Sequence, residues 1–267
     1  ICVVSRPDAN TPVFRLRETA RKDFDRRFTE VRLEPLSQTE SVQLMQHLLK
    51  IENLPARLRE AIIHKAEGNP FFLEEIMRSL VDGAAVVRDP KTGLWKTMPK
   101  IEKIIIPNTI HGVIMARIDR LDEEAKQVLR SASVIGRSFL YRILNAMNVE
   151  TARLDQHLNQ LEDMELISQK QKMPELEYIF KHSLVQELTY ESILLQKRRE
   201  LHARVAQVIE AQFSEKLEEF YSVLAHHYAI GEIWDRAQDY LFKAGDQAGR
   251  IAGDTEALVH YEQAVKA

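Results

Sequence analysis

The chain opens on an apolar run, "ICVV", that breaks at "SRPD". Such a run before a turn signal predicts a buried strand ending near Ser5 and Arg6. "TEVRLEPL", residues 29–36, alternates apolar and polar positions and predicts a second strand. A strand as short as the first cannot pair with itself. Its sheet is therefore expected upstream, and the chain reads as part of a longer one.

The period then changes. Ser37 and Glu40 have capping-box spacing, which predicts a helix from about Thr39 to Lys50 with Leu44, Leu48 and Ile51 on one face. Pro55 is placed to open a second helix, through Ile62 and Ile63 to Glu67. Gly68-Asn69-Pro70 interrupts, and a third helix is expected to run to about Val81. Residues 37–83 thus read as a small helical bundle. "AVVRDPKTGLWKTM" predicts a β-hairpin within residues 84–107. Residues 108–182 carry helical periods followed by two strands, "ELISQ" and "LEYIFKH", in winged-helix order. Linking helices are expected over 183–217. Residues 218–267 read as helical hairpins. There Gly245, Ala257, Tyr261 and Ala264 match the small-small-aromatic-small spacing of a tetratricopeptide unit. Small residues allow helix axes to approach closely. More repeats are expected to follow.

Composition agrees with a mainly α protein. Hydrophobic residues make up 45% and charged residues 29%, while 9 Gly and 9 Pro in 267 residues leave little for a sheet-and-turn fold. The net charge of −3 argues against a globally basic nucleic-acid binder. The one cysteine, Cys2, excludes an intramolecular disulfide and fits a cytoplasmic setting. No apolar run approaches the roughly 20 residues of a membrane span, and no signal peptide is visible.

The chemistry is sparse. There is no G-x-x-x-x-G-K-[ST], no H-E-x-x-H and no G-x-S-x-G. His226 and His227 are adjacent, and on a helix they diverge by about 100°, which speaks against a shared metal ion. Lys197, Arg198, Arg199 and Arg204 read as a solvated helix face. Gly68-Asn69-Pro70 has a local explanation: a left-handed helix stop, an N-cap and an N1 proline. Arg6 sits beyond a strand end, where it is either solvated or aimed at a phosphate. His182 lies where the wing enters a helix, as a local cap or as a projection toward a neighbouring ligand. A winged helix also raises a DNA-binding regulator. However, residues 149–168 carry five acids against one arginine, Arg153. Bringing that helix to phosphates would cost Coulomb energy.

Taken in order, "EGNPFFLEEI", "IPNTIHGVIMARIDRLDEEAKQVLRSASVIGRSF" and "FKHSLVQELTYESI" resemble signal-transduction ATPases with numerous domains, the STAND class of AAA-related proteins. More closely, the chain is similar to the ATPase-plus-tetratricopeptide region found downstream of cyclase domains in bacterial adenylate/guanylate cyclases, and in related regulators and kinases. The resemblance implies that residues 1–36 are the last strands of an α/β ATPase core, 37–83 a helical lid and 108–182 a winged helix. It implies an ATP/ADP site in the intact parent. Arg6 would be the sensor arginine. Asn69 and Pro70 would belong to the Gly-x-Pro motif near the adenine. His182 would be the histidine of the Met-His-Asp motif, with Lys181 and Ser183 replacing its neighbours.

Phosphate-loop and Mg²⁺-binding segments would precede residue 1, so this segment alone is expected to be inactive. The parent would be an ATPase and, through its effector, a nucleotide cyclase. ADP would hold core, lid and winged helix closed, and exchange for ATP would release them. The expected partners are the upstream core and effector domain, and proteins bound by the tetratricopeptide helices. Membrane and nucleic acid are not expected partners. The competing readings are a winged-helix transcription regulator and a tetratricopeptide scaffold without nucleotide function.

Overall fold

The computed structural model describes residues 3–5, 12–52, 54–99, 101, 104–148, 153–250 and 254–266. Over these residues the protein is mainly α-helical, with thirteen α-helices and two three-stranded sheets. No helix among them is long and apolar enough to cross a membrane.

The N-terminal part departs from the sequence reading. Val3–Ser5 form no strand, and neither do residues 29–36. Val31 and Leu33 are 77% and 87% exposed, so their alternation faces solvent on both sides. A strand needs a paired neighbour, and none of the described strands pairs with this segment. Residues Pro12–Asp23 instead form α1, which the periodicity did not reveal.

The next part is a three-helix bundle of α2 (Gln38–Leu48), α3 (Ala56–Ala66) and α4 (Pro70–Asp82). The capping box forms in full: Glu40 N–H donates to Ser37 Oγ, and Ser37 N–H donates to the Glu40 carboxylate. Pro55 is the N-cap of α3, one position earlier than expected, because its extended ψ of 135° lies outside the helix. Met45, Ile62, Phe72, Leu73, Ile76, Met77 and Leu80 fill the bundle core. The hairpin forms as β2 (Val86–Arg88) and β3 (Trp95–Thr97). A short β1 (Ile51–Glu52) adds in parallel to β3, a long-range pairing that no local pattern announces.

Then α5 (Ile110–Ile118) leads into α6 (Glu123–Ile135), β4 (Ser138–Leu140), α7 (Tyr141–Met147), α8 (Leu154–Asp163), β5 (Ile167–Gln171) and β6 (Glu177–Phe180). Strands pair antiparallel in the order β4-β6-β5. Helix, strand, two helices and two strands is winged-helix order. Asp122 caps α6 by accepting from Ala125 N–H at 2.8 Å. Leu129, Leu144, Leu158, Leu161 and Phe180 are buried at its centre.

The chain continues through α9 (Ser183–Glu191), α10 (Leu195–Gln212), α11 (Tyr221–Ile230), α12 (Trp234–Arg250) and α13 (Asp254–Lys266). Of the small residues in the tetratricopeptide spacing, Gly245 and Ala264 lie at helix contacts, while the side chain of Ala257 lies outside the described residues. Ala225, Ala237, Ala244 and Ala264 are buried. A Cβ on Gly245 would lie 2.6 Å from the ring of Tyr261, so α12 and α13 need a glycine there. His202 and His227 face one another across α10 and α11, with their Nδ1 atoms 2.8 Å apart. Tyr190 OH meets His202 Nε2 at 3.1 Å.

Candidate functional site

The turn between α3 and α4 is built by backbone constraint. Glu67 and Gly68 both take left-handed conformations, with φ of 49° and 74°. Gly68 lies against the 35–36 backbone and accepts a hydrogen bond from Leu36 N–H at 2.8 Å. A Cβ there would lie 2.5 Å from Leu36 O. Backbone cannot yield as a side chain can. Gly68→Ala is therefore expected to cost at least about 2 kcal/mol, from the left-handed penalty and the clash together. Urea unfolding of the purified variant checks this.

Asn69 is the N-cap of α4, its Oδ1 accepting from Phe72 N–H at 3.1 Å, and Pro70 is the first helical residue. Both are exposed. Beside them an open cleft of about 670 Å³ is lined by Leu36, Gln38, Ser41, Arg57, His64 and Gly68, among others. It has an apolar wall, the cation of Arg57, the carboxylate of Glu60 and the imidazole of His64. Asn69 and Pro70 stand between this cleft and the next feature in the chain.

That feature joins two distant segments. The ring of Phe71 stacks on the ring of His182, with centroids 3.9 Å apart and planes tilted by 35°. His182 occupies the N-cap position of α9 but makes no side-chain cap hydrogen bond. Its side chain goes to the bundle instead, so the local-cap expectation is corrected. Burial pulls its pKa below the ordinary histidine range. Glu75 and Glu74 oppose that shift, while Arg78 and Lys181 add to it. The imidazole is therefore neutral at pH 7, with one N–H to give and one lone pair to offer. Arg6 lies outside the described residues.

Residues 71, 75, 78 and 82 recur on one side of α4 at helical spacing, and this side meets the winged helix. Arg78 pairs with Glu165, which also binds Lys181. Burial alone would raise the Glu165 pKa, but the hydrogen bonds from Arg78 and Lys181 outweigh it and hold the carboxyl below its usual range. Deeper in, Arg117 of α5 is only 1% exposed. Its Nη1 donates to Glu75 at 2.7 Å, its Nε to Asp82 at 2.6 Å, and its Nη2 to the Met164 carbonyl. One guanidinium thus ties two positions of α4 to the turn before β5. The sequence reading missed Phe71, Glu75, Arg78, Arg117 and Glu165. The available signal was the charged residues at 75, 78 and 82 on a helix whose other side is apolar.

Among the described residues no group of three or more His, Cys, Asp or Glu is placed to hold a metal ion. The basic stretch is paired locally: Arg199 bonds Glu232 at 2.8 Å and Lys197 bonds Glu200 at 3.0 Å. Arg198 caps the carbonyls of Ile193 and Glu191.

A family described as "Domain of unknown function (DUF8739)" matches residues 37–88. The match begins at the N-cap of α2 and ends with β2, so it covers the bundle and half of the hairpin. Over 83 residues the chain is 31% identical to the "Hybrid signal transduction histidine kinase G" of Dictyostelium discoideum. That stretch is 31% of this chain and 2% of that protein.

Proposed function

We propose that the protein is the regulatory segment of a nucleotide-responsive signalling ATPase of the STAND type, with ADP or ATP read where the bundle meets the winged helix. The observation that carries this is the contact of Phe71, next to Pro70, with His182. Two motifs over a hundred residues apart in the sequence meet in space, as a single ligand site requires. A 31% identical stretch in a protein named as a signal-transduction kinase agrees with a signalling role.

Asn69 and Pro70 are exposed beside the cleft, where a purine would find the apolar wall of Leu36 and Gly68. His182 would give an N–H to a phosphate oxygen. Arg78 and Lys181 are engaged by Glu165, so the main phosphate charge must be met elsewhere, with Arg6 as the candidate from this chain. The segment alone is proposed to bind nucleotide weakly and not to hydrolyse it. The helices from α10 to α13 are proposed to bind a protein partner as tetratricopeptide-like hairpins, in a cytoplasmic parent that carries an effector such as a cyclase.

The DNA-binding alternative is not favoured. The exposed side of α8 presents Asp155, Gln156, Asn159 and Asp163, with no cation among them.

At millimolar ADP, a concentration about ten times the Kd raises stability by about 1.4 kcal/mol, a shift of a few degrees in Tm. His182→Ala is expected to abolish that shift without changing the Tm in its absence by as much. Equal shifts in both proteins would remove His182 from the site.

A further inference from the structure

We infer that the three-helix bundle carries a ligand site of its own, where α2 and α3 meet the small sheet, and that it takes a small anionic amphiphile: an alkyl chain ending in a single anionic head. The cleft there holds about 570 Å³, within the range of small-molecule pockets. Met45 of α2 and Met77 of α4 are its most buried lining residues, 4% and 1% exposed. Leu49, Ile51, Leu54 and Leu94 complete an apolar lining. Methionines at the bottom make it adaptable to a flexible chain. The pairing of β1 with β3 builds the cleft. Ile51 is in register with Trp95, and Trp95 N–H donates to Lys50 O at 3.3 Å, which brings Leu94 to the same cleft as Leu49 and Leu54.

The charge is one-sided. Lys50 and Arg59 also line this cleft, and no carboxylate does. Both cations are exposed, and among the described residues neither is paired with an acid. The start of α3 has the same sign: its N-cap, Pro55, makes no side-chain cap, and its first turn holds no acid. The cleft beside Gly68, by contrast, sets Arg57 against Glu60. Apolar depth with unpaired cations at the mouth suits a ligand whose tail enters and whose anionic head stays at the rim. A docked helix would need a row of anchor pockets, and this is one cleft. The site does not rest on the nucleotide reading. Met77 is not on the side of α4 that carries Phe71, Glu75, Arg78 and Asp82, and no winged-helix residue lines the cleft.

The test titrates the whole chain, labelled with ¹³C at its methionine methyls, with hexanoate, octanoate and decanoate below their micelle concentrations. The Met45 and Met77 signals are expected to shift saturably. Affinity is expected to rise about fourfold with each added methylene, the value of one buried CH₂. Decyltrimethylammonium, with a similar tail and the opposite charge, is expected to bind at least about tenfold more weakly than decanoate. Lys50→Ala with Arg59→Ala is expected to weaken decanoate about tenfold and to leave the Tm of the free protein unchanged, since both side chains are exposed.

Equal affinity for the two head groups, or unchanged decanoate affinity in the double variant, would overturn the anionic site. Binding without shifts at Met45 and Met77 would overturn it too, as would joint shifts of all seven methionines, the mark of a surfactant acting on the whole chain. An acidic peptide that shifts these two methyls when none of the carboxylates does would replace the small ligand with a protein partner and overturn the proposal. ADP is absent throughout, so failure here leaves the nucleotide reading standing.

Discussion

Replacing Arg117 with leucine is expected to lower the unfolding free energy by about 3–5 kcal/mol, measured by urea denaturation. The size follows from what is left behind. Glu75 is 1% exposed and would lose its cation, and Asp82 at 10% would lose its own. The Met164 carbonyl would lose a donor as well. A buried carboxylate without a partner either stays charged at high cost or takes up a proton. Replacing all three charged groups with apolar residues, as in Arg117→Met with Glu75→Met and Asp82→Leu, is expected to recover most of the loss. Buried ion pairs contribute little net stability compared with good packing. What they contribute is register, here of α4 against the turn at Met164. A loss below about 1 kcal/mol for Arg117→Leu would show that this network does not hold the joint.

The second large effect is expected from acid, at the other end of the molecule. Burial is the first cause that pulls His202 down to about 4 and His227 to about 3. His226 and Arg198 add to the shift of His202, and His202 and His226 to that of His227. Only one proton fits between the two Nδ1 atoms at 2.8 Å. Both folded values lie below the ordinary 6.5. As pH falls through 6.5 the unfolded chain therefore takes up protons that the folded chain does not. Stability is full above about pH 6.5, declines toward the folded values, and levels off beneath them. Between pH 7 and pH 5 the loss is about 2 kcal/mol per histidine. Urea midpoints across that range check the slope, and a His202→Gln/His227→Gln variant is expected to flatten it. An unchanged slope in that variant would place the acid sensitivity elsewhere.

Local physics made the helices readable. Ser37 with Glu40, Asn69 with Pro70, and Asp122 each mark a helix start that the structure confirms through a specific hydrogen bond. The strand expected at residues 29–36 failed for a nonlocal reason: alternation shows that a segment can pair, not that a partner is present. The parallel pairing of Ile51–Glu52 with β3 was hidden for the same reason. In the candidate site, Asn69, Pro70 and His182 were legible as motifs. The resemblance put them at one site, but the contact that joins their segments was not legible, because Phe71 carries it and reads in sequence as a core aromatic. Arg117 was equally silent. An arginine four residues after Val113 shares that residue's helix face, and only the tertiary fold shows the carboxylates of Glu75 and Asp82 that meet it there.

The most direct test of nucleotide reading at the joint is ADP titration of the isotope-labelled chain, followed by chemical-shift mapping up to millimolar concentrations. A nucleotide site between bundle and wing predicts saturable shifts at Asn69, Phe71 and His182, lost in His182→Ala and weaker with adenosine. Shifts confined to other residues, or none at these three at saturation of any binding, would contradict it.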